Sequence, residues 1–248
     1  MTVCNLKVKI FADGADFDDI CMLNKNPRIE GFTTNPTLMR QAGVSDYEAF
    51  AHKVLAVATD KPVSFEVFAD DLPSMEAQAR EIASWGQNVN VKIPVTTTKG
   101  EFTGPILKRL TADGVQVNVT ALMTVDQVRA VAAVLSPTTP AIVSVFAGRI
   151  ADTGLDPVPY MQEAATVLAA LPKADLLWAS PREVLNIYQA DAVGCGIITV
   201  THSLLKKLDL YGKDLVEYSL ETVAMFYNDA SAATYQIRVK APKDCEVA

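Results

Sequence analysis

Short runs of alternating apolar and polar residues recur along the chain, separated by longer stretches whose apolar residues return every three or four positions. The short runs are Lys7–Asp13, Gly31–Thr34, Pro62–Phe68, Asn88–Pro94, Val115–Thr120, Ala141–Phe146, Asp175–Ser180 and Gly196–Thr201. A period of two predicts strands. The wider period over Tyr47–Ala58, Leu72–Ser84, Val125–Leu135 and Pro159–Leu171 predicts helices. Ser45 followed three residues on by Glu48 reads as a capping box for the first of these, and Thr124 as the cap of the third. No shift of composition, low-complexity tract or Pro/Ser linker divides the chain. Eight strand–helix units in 248 residues predict an α/β fold, one (β/α)₈ TIM barrel domain over residues 1–248 with a helical tail at about 203–240.

The faces of the strands carry further information. Val115-Gln116-Val117-Asn118-Val119-Thr120 sets valines on one face and polar residues on the other. Val63–Phe68 sets Ser64 and Glu66 opposite an apolar face, and Val89–Pro94 does the same with Asn90 and Lys92. A sheet buried on both sides reads apolar on both, so polar inner positions line either a site or a satisfied polar network. Antiparallel strands with one face in water would also alternate, but they need only short turns between them, not helical connections. A polar network accounts for Gln116 or Ser64. It accounts poorly for a lysine, because burying an ammonium without partners is expensive.

Composition narrows the classes. Half of the residues are hydrophobic and 21% charged, which excludes a disordered chain. A net charge of -7 and a pI near 4.9, with no basic cluster, argue against nucleic acid as a partner. Mean hydropathy is +0.17, yet no apolar run approaches the roughly 18 residues of a membrane span. The start, with Lys7 and Lys9 and no apolar segment before a cleavage site, reads as a mature N-terminus. Cys4, Cys21, Cys195 and Cys245 are scattered without a CxxC, as expected of reduced thiols in a cytoplasmic protein. His52 and His202 are too few for a histidine metal site, no metal or cofactor is expected, and both read as ordinary surface or core residues.

Barrels of this kind keep their chemistry at the C-terminal ends of the strands. In chain order those ends carry Asp13, Thr33 and Asn35, Glu66, Lys92, Asn118 and Thr120, Ser144 and Phe146 with Arg149 beyond, Ser180 and Arg182, and Thr199 with Thr201. A lysine among apolar walls is a candidate Schiff-base nucleophile, since desolvation disfavours the ammonium and leaves more free amine. The iminium it forms with a ketone is an electron sink for breaking a neighbouring C–C bond. Proton transfer then falls to Asp13 and Glu66, the carboxylates available. Arg149 and Arg182 stand where a fork could grip an anionic tail. Bland readings stand beside these: a structural ion pair from Lys92 to Glu66 or Asp13, a turn at Asp13-Gly14, a loop-to-helix junction at Asn35-Pro36, and surface ion pairs for both arginines. No GxGxxG or GxxxxGK[ST] points to a nucleotide.

Gly31-Phe32-Thr33-Thr34-Asn35-Pro36-Thr37-Leu38 resembles the first signature of the transaldolase family, and Val89-Asn90-Val91-Lys92-Ile93-Pro94 its second, around the Schiff-base lysine. The likeness runs on through Phe11–Gly14, Val117–Thr120, Val143–Ile150 and Ala179–Arg182, in order, and covers roughly residues 8 to 237. The resemblance implies a barrel in which Lys92 is the nucleophile and a dihydroxyacetone unit passes from a ketose phosphate to an aldose phosphate. It gives Asp13 the proton of the donor's C4 hydroxyl, and Glu66, with Thr120, a water used in making and hydrolysing the Schiff base. It gives Asn35, Asn118 and Ser144 the hydroxyls of the transferred unit, and Arg149, Ser180 and Arg182 the phosphate.

The family's aldolase branch, a fructose 6-phosphate lyase, has Gln at the position of Glu66 and Tyr at that of Phe146, so this chain takes the transaldolase form at both. Lys92-Ile93-Pro94-Val95-Thr96 looks like the short branch, whose members form rings, and a homo-oligomer, pentamer or decamer before dimer, is implied. Pro181 stands where the family has Phe, and extra residues at Thr96–Phe102 follow the lysine. A reshaped anion pocket would suit a sulfonated ketose. A barrel that binds sugar phosphates without turning them over is the remaining alternative.

Overall fold

The computed structural model describes residues 6–239. Eight strands, β1 (Lys9–Asp13), β2 (Ile29–Thr33), β3 (Val63–Glu66), β4 (Val89–Pro94), β5 (Val117–Leu122), β6 (Ala141–Val145), β7 (Ala174–Trp178) and β8 (Ile197–Thr201), close in sequence order into a barrel. Every neighbouring pair is parallel, including β1 with β8. The connections carry α1 (Phe17–Asn24), α2 (Pro36–Gln41), α3 (Tyr47–Leu55), α4 (Leu72–Ser84), α5 (Gly104–Ala112), α6 (Val125–Ala132), α7 (Ala147–Asp152), α8 (Pro157–Leu168) and α9 (Leu185–Ala192), with α10 (His202–Leu205) after β8. The fold is the expected (β/α)₈ barrel. By its internal contacts the chain divides after Asp209. The second unit carries α11 (Leu215–Ala232), capped by Asp214 on the N–H groups of Val216 and Glu217, with no residue of the helix buried. Cys4 and Cys245 lie outside the described residues; Cys21 and Cys195 are free thiols.

All eight alternating runs form strands, and they deviate at their ends for visible reasons. The N–H groups of Lys7 and Val8 donate to Asp191 Oδ1 (2.6 and 2.9 Å) and not to a strand, so β1 begins at Lys9. Beyond Glu66 the chain peels away because Gln78 Oε1 accepts the N–H groups of both Phe68 and Ala69 (2.8 and 2.9 Å). β5 runs past Thr120 through an irregularity at Ala121, which has φ of 64°. β7 stops at Trp178, two residues short of Ser180 in the left-handed region.

The four predicted helices form, with α4 matching residue for residue. Apolar periodicity overshoots the ends of α3, α6 and α8 because the turn beyond each still packs inward: Ala58, Leu135 and Leu171 join the core. Thr124 caps α6 in a full capping box with Gln127. The box expected at Ser45 and Glu48 does not form. Asp46, one residue later, accepts the Ala49 N–H (3.0 Å), since its carboxylate reaches that donor from the position adjoining Tyr47.

Outward strand residues such as Val63, Phe65, Val91, Val119 and Val143 are wholly buried against the helices. The interior of the barrel is divided. Phe11, Ile142, Leu177, Ala179 and Ile197, with Phe146 against them, form an apolar cluster from β1 and β6–β8. Gly31 of β2 makes room for it: a Cβ there would lie 2.6 Å from the Phe11 ring. Across from this cluster Ser64, Asn90, Lys92 and Asn118 are buried on β3–β5.

Candidate active site

Strand register gathers the polar side chains. Glu66 pairs across to Lys92, Lys92 to Asn118, and Asp13 lies beside Thr33 and Thr201. Lys92 is 7% exposed, and its Nζ is held from two sides: it donates to the Thr34 carbonyl (2.8 Å) and lies 3.0 Å from Glu66 Oε2. The amine expected among apolar walls is thus a partnered one, and its ion pair to Glu66 is present. This partnership is what makes burial of the charge tolerable.

Asp13, at the end of β1, accepts a hydrogen bond from Thr33 Oγ1 (2.8 Å). With the Thr33 proton committed, the hydroxyl of Thr199 donates to Thr33 Oγ1, so two threonines stand in line behind the carboxylate. Burial pushes the Asp13 carboxyl above its ordinary range. The nearby Lys92 ammonium and the Thr33 bond oppose the rise, and the Glu66 charge adds to it.

A second chain of bonds runs over β3, β5 and β6. Ser144 Oγ donates to Asn118 Oδ1 (2.6 Å), and Asn118 Nδ2 donates to Ser64 Oγ (3.1 Å). Thr120 Oγ1 is buried without a hydrogen-bond partner among the described residues. Asn35 is the cap of α2, its Oδ1 accepting the Leu38 N–H (3.0 Å) with Pro36 in the first turn, as the junction reading anticipates. Its amide N–H groups remain as donors.

The arginines differ from one another. Arg149 is exposed on α7, its guanidinium 5.7 Å from the centre of the Phe146 ring. Arg182 is engaged by Asp152 through both Nε (3.1 Å) and Nη2. Between them Ser180 takes φ of 57°, strained for a residue with a side chain. Gly148 permits this, because a Cβ on it would lie 1.5 Å from the Ser180 carbonyl oxygen. The Thr96–Phe102 segment closes on itself by a bridge between those two residues, and Thr98 N–H donates to Asp70 Oδ1 (2.7 Å). Bonds from Thr98 hold the Asp70 carboxyl below its usual range.

Beside Asp13, a pocket of about 430 Å³ is lined by Leu38, Gln41, Thr201 and His202. His202 Nδ1 is 2.5 Å from Asp19 and His52 Nε2 3.7 Å from Glu48, partners that sequence did not indicate. Among the described residues no group of three or more His, Cys, Asp or Glu side chains could hold a metal, and no helix is long and apolar enough to cross a membrane.

The sequence gives no signal for Thr34 or Asp152, while it sets Ser64 in a polar network and Thr199 at a strand end without a role for either. Alternation with Glu66 places Ser64 on the inner face, and position at a strand end places Thr199. The Thr34 carbonyl had no signal, since any residue carries one.

The structure is a closed parallel barrel with a buried lysine toward the C-terminal end of its strands, paired with Glu66 and within the electrostatic reach of Asp13. The sequence profile described as transaldolase/fructose-6-phosphate aldolase matches residues 10–240, and the chain belongs to that family. A protein of Dehalococcoides mccartyi named probable transaldolase is 35% identical over 202 residues, 81% of this chain and 90% of that one. One of the same name from Methanococcus maripaludis is 32% identical over 202 residues, 81% and 89%. Among solved structures, dihydrodipicolinate synthase from Rhodopseudomonas palustris aligns over 94% of this chain and 82% of its own, with a TM-score of 0.53 at 16% identity, a likeness of fold alone.

Proposed function

We propose that the protein is a transaldolase, moving a dihydroxyacetone unit from a ketose phosphate, fructose 6-phosphate or sedoheptulose 7-phosphate, to an aldose phosphate. The observation that carries this reading is the Lys92 amine, buried in a closed barrel and 3.0 Å from Glu66. Glu66 takes the ammonium proton, and the free amine adds to the C2 carbonyl of the ketose. The carbinolamine loses its oxygen as water, protonated through Glu66, and an iminium remains on Lys92. Asp13 removes the proton of the C4 hydroxyl. C4 becomes an aldehyde, the C3–C4 bond breaks, and its electron pair flows into the iminium to give an enamine. The aldose phosphate departs, the enamine adds to the carbonyl carbon of the acceptor while Asp13 returns its proton to the oxygen that becomes the new hydroxyl, and water hydrolyses the product iminium to free the ketose and the Lys92 amine.

In this scheme Asn35, Asn118 and Ser144 hold the dihydroxyacetone hydroxyls, Thr33 orients Asp13, and Thr120, whose hydroxyl has no protein partner among the described residues, binds the hydrolytic water. Arg149, Ser180 and Arg182 grip the phosphate, with Phe146 beneath Arg149. The matching test is reductive trapping. Incubation with fructose 6-phosphate and then borohydride is expected to leave a dihydroxyacetone-sized mass on the peptide bearing Lys92. An unmodified Lys92 on folded protein sinks the reading.

One observation supports a second reading of the substrate. Asp152 spends two of the Arg182 donors and neutralises its charge, which lowers the attraction for a dianion. A sulfonated ketose, with one charge fewer, would lose less. Competition between phosphate and sulfonate donors in the exchange assay separates the two. The exposed Leu215, Leu220, Val223 and Phe226 of α11 support a homo-oligomer, a pentamer or decamer, checked by light scattering. The transaldolase reading carries with it a role in carbohydrate metabolism through the pentose phosphates, and the free Cys21 and Cys195 are in keeping with a cytoplasmic location.

A further inference from the structure

Glu66 lies at a place where the sheet fails to hold its own backbone. Val63 N–H donates to the carbonyl of Asn88, just before β4, and Val67 N–H, just beyond β3, to that of Lys92, so the N–H groups of Ser64 and Glu66 face β2. There the pairing runs out: β2 meets β3 only at Phe32↔Val63 and Thr33↔Ser64, and Thr34 N–H to the Ser64 carbonyl (3.2 Å) is the last bond before the chain turns into α2. The Glu66 N–H and carbonyl therefore have no strand to meet.

The hydroxyl of Tyr47, the first residue of α3, stands in for the missing strand. It accepts the Glu66 N–H at 2.6 Å and donates to the Glu66 carbonyl at 2.9 Å. Its ring is fixed by edge contacts with Phe65, Phe68 and Trp85, at centroid separations of 6.1, 4.5 and 5.7 Å. Burial pushes the Tyr47 hydroxyl well above its ordinary pKa, which keeps the donated proton in place. The same departure of β2 leaves the Thr34 carbonyl free to accept from Lys92. One strand end thus shapes both partners of the amine.

We propose that Tyr47 is a positioning residue for Glu66, fixing the backbone from which the carboxylate reaches Lys92. The proposal rests on the reading of Glu66 as the proton partner of Lys92. Without the hydroxyl, two backbone groups lose their partners together and the end of β3 shifts to find others. The carboxylate then leaves the short contact on which proton transfer depends, while the remainder of the barrel keeps its bonds.

The test follows formation of the reducible Lys92 adduct in time, mixing enzyme with fructose 6-phosphate and quenching with borohydride at intervals. Tyr47→Phe is expected to form the adduct about tenfold more slowly than the wild type. Trp85→Phe loosens the same aromatic group without touching Glu66 and is expected to stay within about twofold, although its unfolding midpoint falls as well. In a Glu66→Gln background, Tyr47→Phe is expected to slow the step no further. A wild-type rate in Tyr47→Phe, equal slowing in Trp85→Phe, or a full further loss in the double variant overturns the role of Tyr47. If the wild type forms no adduct, the Schiff-base reading itself fails and this role goes with it, an outcome distinct from the other three.

Discussion

Two ion pairs lie toward the C-terminal ends of the strands and differ in surroundings. Lys92 and Glu66 meet inside the barrel with side chains 9% and 16% exposed, whereas Arg182 and Asp152 meet at the rim with both about half exposed. In the interior, removing one partner strands a charge in a poor dielectric, so each side chain dictates the other's state. At the rim, water screens the pair and either partner can exchange for a ligand at little loss. The buried pair suits chemistry, where a proton has to move between fixed atoms. The rim pair suits selection, where charge is set against charge in the presence of solvent.

The sharpest way to break the contrast is Lys92→Met. Turnover and borohydride-trapped mass are both expected to vanish, while circular dichroism still reports a folded barrel; measurable exchange activity in this variant would remove the mechanism. Asp13→Asn comes next, with kcat expected to fall about 10²- to 10⁴-fold because the proposed base for the C4 hydroxyl is lost. It also carries a signature in stability. Since burial raises the Asp13 pKa in the folded protein, the folded state holds that proton more tightly than the unfolded chain, and stability falls as pH rises from the ordinary carboxylate range through the raised folded-state value. The variant lacks this loss. Its unfolding midpoint should match the wild type near about pH 3 and exceed it near about pH 8, and a constant offset would contradict the assignment.

Gly148→Ala probes the backbone beneath the rim. The added Cβ would stand 1.5 Å from the Ser180 carbonyl, so the Ser180 peptide must move. A loss of about 1–3 kcal/mol in denaturant unfolding is expected, with KM for a phosphate donor raised and kcat less affected. The smallest effect belongs to Asp152→Asn. Freed of its partner, Arg182 should lower KM for phosphate donors several-fold, less so for sulfonate donors, and the gain should shrink as salt rises. Equal effects on both donors would mean that Asp152 does not set anion charge.

The strands were legible because alternation is written residue by residue. Val89–Pro94 and Val117–Thr120 announce which side chains share a face, and that alone places Lys92 and Asn118 inside. The ends were less legible, because competing bonds from remote residues decide them: Gln78 ends β3, and Asp191 delays β1. The capping box at Ser45 failed for a local reason, the stronger claim of the neighbouring Asp46 on the same helix start.

What sequence determined by itself was the barrel, its order and the cast of the interior, since periods of two and near 3.6 are properties of the chain alone. What only tertiary structure decided was which groups touch. Tyr47 on Glu66 spans nineteen residues, the Thr34 carbonyl on Lys92 fifty-eight, and Thr33 on Thr199 one hundred and sixty-six. Such pairs carry no local signal, because a hydrogen bond is made by position in space, and the closing of the barrel brings β1, β2 and β8 side by side from opposite ends of the chain.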